Sequence, residues 1–302
     1  MRALFVFTPP ESKRFIAKAV AQLPEVKNAK KEEEIVIGHG STNVRVAEEI
    51  LGECPERDKF ISGQVINGIL CVASAEGKPP MIVIRKGKLI PPELTMEETL
   101  KNFGAGSVFI KGANAVDPEM NAGVYSANPS GGTIGFSYGI LSVRGCHLIV
   151  PVGLEKLIPS VKKAAQHLGQ ETFYYCMGLK IGMLPIINAK VITEVEAFRI
   201  LFDLDAIHFG GGGVNGSEGS VGLIAEGRKK ELDQAIRLIE SIKGEQALNL
   251  KKSLCMNCLP ASPSLLVSPD EQFAEKEIKH CMFQGKREEE LPFFLQQKVS
   301  KE

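Results

Sequence analysis

Apolar runs bounded by glycine, proline or charge recur along the chain and set its rhythm. Leu4-Phe5-Val6-Phe7 reads as part of a first strand that stops before Pro9-Pro10. Residues 12–23 place Phe15, Ile16, Val20 and Leu23 at helical spacing. Glu34-Ile35-Val36-Ile37 is a short buried strand that breaks at Gly38-His39-Gly40, after which Ser41 or Thr42 caps a helix reaching Leu51 and stopped by Gly52. Residues 63–73 and 81–84 read as strands, with Lys86-Gly87-Lys88 as a turn. Thr95-Met96-Glu97-Glu98 opens a helix with a capping box. Val108-Phe109-Ile110 and residues 147–151 are further strands, residues 131–143 a glycine-weakened helix and residues 154–168 an amphipathic one. Strands alternating with helices predict an α/β fold, mainly a parallel sheet with helices on both faces, over residues 1–170.

From residue 171 the rhythm changes. A strand (184–192), a helix (193–204), two strands (206–209 and 220–226), a helix (228–242) and a last strand (247–250) follow one another. This β-α-β-β-α-β order predicts a ferredoxin-like α+β plait over residues 171–253, with one four-stranded antiparallel sheet. Residues 254–302, rich in proline and charge, read as a tail lying across the two domains.

Composition narrows the partners. Among 302 residues, 36 Lys plus Arg balance 36 Asp plus Glu, so no overall field favours nucleic acid or an anionic membrane. With no tryptophan and 6% aromatics, a stacking platform for single-stranded nucleic acid is not expected either. Every hydrophobic run is interrupted well short of the roughly 20 residues that span a bilayer, and the apolar start is too short for a secretory leader. Seven cysteines, an odd number in a chain of this length, read as reduced thiols. A cytoplasmic location is the resulting expectation.

The chemistry gathers in glycine-rich turns. Gly38, Gly40, Ser41, Thr42 and Asn43 lie between a strand and a helix start, where backbone N–H groups, hydroxyls and the helix dipole converge on an anion. Lys111-Gly112-Ala113-Asn114 leaves another strand end, followed by Asp117 and Glu119. Ser130-Gly131-Gly132-Thr133 precedes the glycine-weakened helix. Loops of this kind at strand ends can line one crevice, with His39, Asp117 and Glu119 as candidate acid–base groups. The run from Gly210 to Gly219 either closes over that crevice or is a flexible hairpin connection. Cys255-Met256-Asn257-Cys258 and His280-Cys281 carry metal-ligand types. They could hold a tetrahedral zinc or an iron–sulfur cluster or form a redox dithiol, but an adjacent second pair is a poor tetrahedral partner, so inert thiols and no metal are the expectation.

Three of these strings together resemble a family: Ile35-Val36-Ile37-Gly38-His39-Gly40-Ser41-Thr42, Val108-Phe109-Ile110-Lys111-Gly112-Ala113-Asn114-Ala115, and residues 147–156, with Pro151-Val152-Gly153-Leu154-Glu155-Lys156 at their end. The likeness is to the fold shared by ribose-5-phosphate isomerase, glucosamine-6-phosphate deaminase, CoA transferases and the lactate-utilisation (LUD) proteins. It covers about the first 165 residues and implies a fold more than an activity. Gly112-Ala113-Asn114-Ala115 stands where the isomerases carry an acidic pair, and their Lys-Gly-Gly-Gly signature is missing. The Ser-Glu-Asn-Gly motif of glutamate-class CoA transferases has only Gly216-Ser217-Glu218-Gly219 as its nearest counterpart. The resemblance implies a small anionic metabolite, such as a sugar phosphate or acyl-CoA, and possible homo-oligomers, with isomerase- or transferase-type catalysis as one outcome and a non-catalytic sensor or assembly subunit as the other. It does not identify a cofactor.

Overall fold

The computed structural model describes residues 1–73, 78–90, 95–250, 252–258 and 281–296. Strand β1 (Arg2–Phe7) leads into α1 (Pro9–Gln22), whose first turn is fixed by the Glu11 carboxylate accepting the Thr8 N–H at 2.9 Å. After α2 (Pro24–Glu32) come β2 (Glu34–Ile37) and α3 (Ser41–Leu51), which ends where Gly52 turns left-handed at φ 89°. The stretch expected as one strand is a hairpin, β3 (Gly63–Ile66) and β4 (Ile69–Val72). Asn67 and Gly68, both at positive φ, make its turn. Strands β5 (Ile82–Arg85) and β6 (Lys88–Leu89) precede α4 (Met96–Lys101), capped by Thr95. Strands β7 (Val108–Ile110), β8 (Ala115–Val116) and β9 (Ala122–Ser126) lead to α5 (Gly132–Arg144) and β10 (His147–Pro151). A single turn (Leu154–Lys156) and α6 (Val161–His167) stand in place of the expected continuous helix, broken at Pro159. The chain continues through β11 (Gly182–Ile186), β12 (Lys190–Ile192), α7 (Glu194–Phe202), β13 (Asp205–Gly212), β14 (Ser220–Glu226) and α8 (Lys229–Ile242).

A six-stranded mixed sheet, ordered β12-β10-β7-β2-β5-β6, forms the centre of this α/β fold. Its first four strands are parallel; β5 runs antiparallel to β2, and β6 antiparallel to β5. Strand alternation divides the core between its two faces. Ile35, Ile37, Ile110, Ile149 and Ile192 pack with α1, α2 and α3 on one side. Val36, Phe109, Leu148, Val150 and Val191 pack with α4 and α5 on the other. Burial on both faces is why these strands are continuous apolar runs, and each fully buried side chain of this size contributes roughly 1.5–3 kcal/mol.

The ferredoxin-like plait is not found among the described residues. Strand β14 is buried along most of its length and takes a partner on each side, β13 and also β1 from the start of the chain, giving a three-stranded antiparallel sheet. The stretch expected as one strand at 184–192 divides: β11 pairs antiparallel with β9, and β12 extends the parallel sheet beside β10. Residues 247–250 form no strand. Helix α1 lies between the two sheets, with Phe15, Ile16, Ala17, Ala19 and Val20 inaccessible.

This topology creates a switch point. From β2 the chain moves outward to β5 and β6; it returns through β7 on the other side and moves away again through β10 and β12. The crevice beyond the carboxyl ends of β2 and β7 is where open α/β sheets place ligands.

Candidate functional site

Asn43, in the first turn of α3, is inaccessible and bridges the two strand ends. Its Nδ2 donates to the Gly38 carbonyl at 2.7 Å and to the Ile110 carbonyl at 3.3 Å. Its Oδ1 is buried without a hydrogen-bond partner, and a Cβ on Gly112 would lie 3.9 Å away. No side chain caps α3; the first intrahelical bond runs from Val44 N–H to the Gly40 carbonyl. The N–H groups of Ser41, Thr42 and Asn43 therefore open the positive end of the helix.

Lys111 follows β7 and lies against Gly38, with its Nζ 3.4 Å from the His39 carbonyl. Desolvation pushes this half-buried ammonium down to about 8, aided by the charges of Lys156 and Lys78. Lys156, on the turn after β10, donates to the Ala113 carbonyl at 3.0 Å; burial lowers its pKa. Lys78, at the surface, donates to Ser62 Oγ at 2.6 Å. Among the described residues, none of these three lysines has a carboxylate within ion-pair distance. A cluster of like charges with no carboxylate in ion-pair range, where Glu155 and Glu194 act on Lys156 from farther off, favours a bound anion.

Two carboxyls approach the same edge. Glu194 opens α7 after β12 and is inaccessible; it accepts from Ser12 Oγ at 2.6 Å and from Leu154 N–H at 2.9 Å. Burial, reinforced by Glu155, raises its pKa to about 7. Both carboxylate oxygens of Glu155 are buried without a hydrogen bond, and Lys13 Nζ stands 3.5 Å away. The Glu155 side chain folds over Gly153, where a Cβ would sit 1.8 Å from Oε2. The glycine-rich connection between β13 and β14 ends here too: a Cβ on Gly219 would lie 3.9 Å from Glu155 Cβ.

The structure therefore places Gly38, Gly40, Ser41, Thr42, Asn43, Lys111 and Gly112 around the adjoining ends of β2 and β7. The His39 ring lies tilted at 40° against Phe60, centroids 4.7 Å apart, and its Nε2 donates to the Pro79 carbonyl at 2.7 Å. Burial, with the charges of Lys78 and Lys111, lowers its pKa to about 4, so it is neutral at pH 7. Asn114 turns away, its Oδ1 accepting from Tyr125 N–H. Asp117 is buried, and its oxygens accept from the N–H groups of Glu119, Asn121 and Val161 and from the Asn121 amide. Opposing the desolvation, these bonds lower its pKa and fill its lone pairs. Glu119 is exposed beside it. Ser130, Gly131, Gly132 and Thr133 start α5 near Ser126 and Leu184; no hydrogen bond among the described residues links them to Gly38 or Lys111. Lys78, Lys156, Glu155 and Glu194 were not anticipated from sequence: Lys78, the adjacent pair Glu155–Lys156 and Glu194 come from three separate segments, and strand order brings them together.

Two cavities lie away from this edge. One of about 790 Å³ is lined by Arg14, Arg45, Glu48, Glu49 and Glu245, whose charges pair with one another. The other, about 480 Å³, is a lysine-lined depression at Lys27, Lys30, Lys31 and Lys86. Satisfied charges leave the larger cavity with no unmet demand for a ligand. The lysines of the strand-end crevice have such a demand.

Compared with known protein families the chain matches none, and no curated protein matches it. A solved structure to which it is similar is D-ribose-5-phosphate isomerase in complex with phospho-erythronic acid, at 19% identity and a TM-score of 0.27, covering 78% of this chain and 88% of that one. That degree of superposition does not establish a shared fold. No helix among the described residues is long and apolar enough to cross a membrane.

Proposed function

We propose that this chain binds a small anionic metabolite, of the sugar-phosphate or acyl-CoA kind, at the carboxyl ends of β2, β7 and β10. The observation that carries this reading is the lysine cluster beside the uncapped start of α3: Lys78, Lys111 and Lys156 with no carboxylate in ion-pair range. The N–H groups of α3 and the ammonium of Lys111 supply donors from two directions, and charge-assisted bonds of this type contribute about 1.5–3 kcal/mol each. Glu155 and Glu194 lie at the same edge, but Glu194 is inaccessible and held by Ser12 and Leu154, so this pair shapes the charge of the site rather than touching a ligand.

A thermal-shift screen of sugar phosphates, acyl-CoAs and nucleotides tests the binding, since a ligand that binds only the folded state raises Tm with concentration. Stabilisation of the native chain that Lys111→Met abolishes is the expected result. Stabilisation that survives in Lys111→Met would move the site elsewhere. Turnover of a stabilising compound then separates an enzyme from a sensor.

A further inference from the structure

Cys255 and Cys281 pack against the hairpin β3–β4 and Cys258 follows Cys255, but among the described residues no group of three or more His, Cys, Asp or Glu side chains could hold a metal ion. His280 lies outside the described residues. The feature left without a role is in the three-stranded sheet. Strand β14 sits between β1 and β13, and strand alternation sorts the side chains of all three onto two faces. One face, with Phe5, Phe7, Leu223 and Ala225, is buried in the core that holds Phe15 of α1 and Phe198 of α7. On the opposite face the register puts Leu4, Ile224 and Ile207 in one row, and Val6 and Gly222 in the next.

That outer face is apolar too. Leu4 is 64% exposed, Val6 47%, Ile207 67% and Phe209 52%. Phe209 is the residue passed over where the β13–β14 register shifts between His208 and Gly210. Its ring lies over Gly222, where a Cβ would come within 2.6 Å of it. Glycine at 222 thus lets the aromatic ring settle against the sheet beside Val6. An antiparallel sheet with one solvated face normally alternates apolar-in and polar-out. Single apolar side chains are ordinary on a surface, whereas a contiguous patch on one sheet face marks contact with another surface.

The charges at the end of this face say which surface. The register lines up Arg2, Glu226 and Asp205 across the three strands. Arg2 Nε meets Glu226 at 2.9 Å and Arg199 meets Asp205 at 3.4 Å, all four being exposed. The row is positive on β1 and negative on β14 and β13. A second copy turned about a two-fold axis along β14 brings its β1 over β13 and its β13 over β1. Leu4 then opposes Ile207, Val6 opposes Phe209, and Arg2 opposes Asp205. An axis across the strands would instead set the charged row against Val6 and Phe209. The face is therefore complementary to itself in one orientation, with an apolar centre and a charged rim.

We propose that two copies of this chain dimerise face to face through the outer surfaces of their β1-β14-β13 sheets, with Arg2 of each copy opposite Asp205 of the other. Sheets stacked in this way pack about 10 Å apart with strands within about 30° of one another. Leu4, Val6, Ile207 and Phe209 leave water together, which supplies the driving force. The assignment stands independently of the anion-binding crevice.

Sedimentation equilibrium of the full chain over a range of concentrations tests this. A reversible species of twice the 32.8 kDa chain mass is expected. Ile207→Lys, at a position exposed in the single chain, should keep the native circular dichroism spectrum and sediment as a monomer. Arg2→Asp and Asp205→Arg each set like charges against one another across the axis, and each should weaken self-association by about tenfold or more. Mixed together, the two variants restore opposite charges at both contacts, so association should return to the native level. Damage to the fold cannot produce that recovery. A monomer at every soluble concentration overturns the proposal, whatever other segment or protein covers the face. So does a dimer that Ile207→Lys leaves intact, or a mixture of the two charge variants that associates no better than either alone.

Discussion

A Cβ on Gly38 would lie 3.0 Å from Cδ of Lys111, so the missing side chain at the end of β2 is what makes room for the lysine stem leaving β7. Gly38→Ala should therefore leave the fold intact, because the atom that must yield belongs to a flexible stem. Affinity for inorganic phosphate should fall severalfold as the ammonium is displaced. Calorimetric titration with phosphate, alongside a melting curve, checks both halves. Unchanged affinity would remove Lys111 from the site.

Lys111 also sets a pH dependence. Its ammonium, lowered to about 8, is charged at pH 7 and loses its proton above that value. Phosphate affinity in the native protein should decline as pH rises through about 8 to 9, a range in which phosphate itself no longer changes charge appreciably. In Lys111→Met the affinity should already be weaker at pH 7, by about 1.5–3 kcal/mol, and this decline should be absent.

Glu194 should reveal itself in stability. Its folded pKa, raised to about 7, lies above the value of an unfolded glutamate, so the folded state holds the proton more tightly. That contribution is fully present below about pH 4.5 and is lost as pH rises through 7. Glu194→Gln, which still offers an oxygen to Ser12 and Leu154, should match the native protein at pH 5. At pH 8 it should be the more stable, by on the order of 1–3 kcal/mol. Urea unfolding at the two pH values measures the difference; a variant less stable at pH 8 would contradict it.

Phe15 stacks on Phe7 at 5.0 Å and meets Phe198 at 4.9 Å, where α1 is enclosed between the two sheets. With no accessible surface and aromatic neighbours on β1 and α7, Phe15→Ala should cost about 3–5 kcal/mol. Denaturant titration should show a lower midpoint with an unchanged slope if both sheets unfold together. A biphasic curve would mean that they do not.

The elements most legible in sequence are those whose signal is local. Ile35-Val36-Ile37 and Val108-Phe109-Ile110 are uninterrupted apolar runs because both faces of the sheet are covered, and the glycine turn after β2 is visible for the same reason. Asn67-Gly68 carries a hairpin signal inside residues 63–73, but the apolar residues around it mask the turn. Helix α2 escapes notice because Lys27, Lys30, Lys31 and Glu32 leave only Val26 and Ala29 to bury. The partner of β14 cannot be read locally, since β1 is as apolar as any strand of the central sheet. The same holds for the crevice: Lys111 sits beside a recognisable turn, while the Glu155–Lys156 turn meets Lys111 and Glu194 only through the order β12-β10-β7-β2.

The pairing of β1 with β14 sets a timetable for folding. Arg2 finds Glu226 across 224 residues, and the Met1 amino group reaches the Gly227 carbonyl across 226. A ribosome finishes β1 long before β14 exists, so Phe5 and Phe7, buried in the finished fold, along with the strand's unpaired edges, wait without their cover while most of the protein is still being made. Contacts this remote in sequence slow folding, and open apolar edges recruit other chains. Refolding should consequently be slow and sensitive to protein concentration, with the late step being the clasp between the two ends of the described fold.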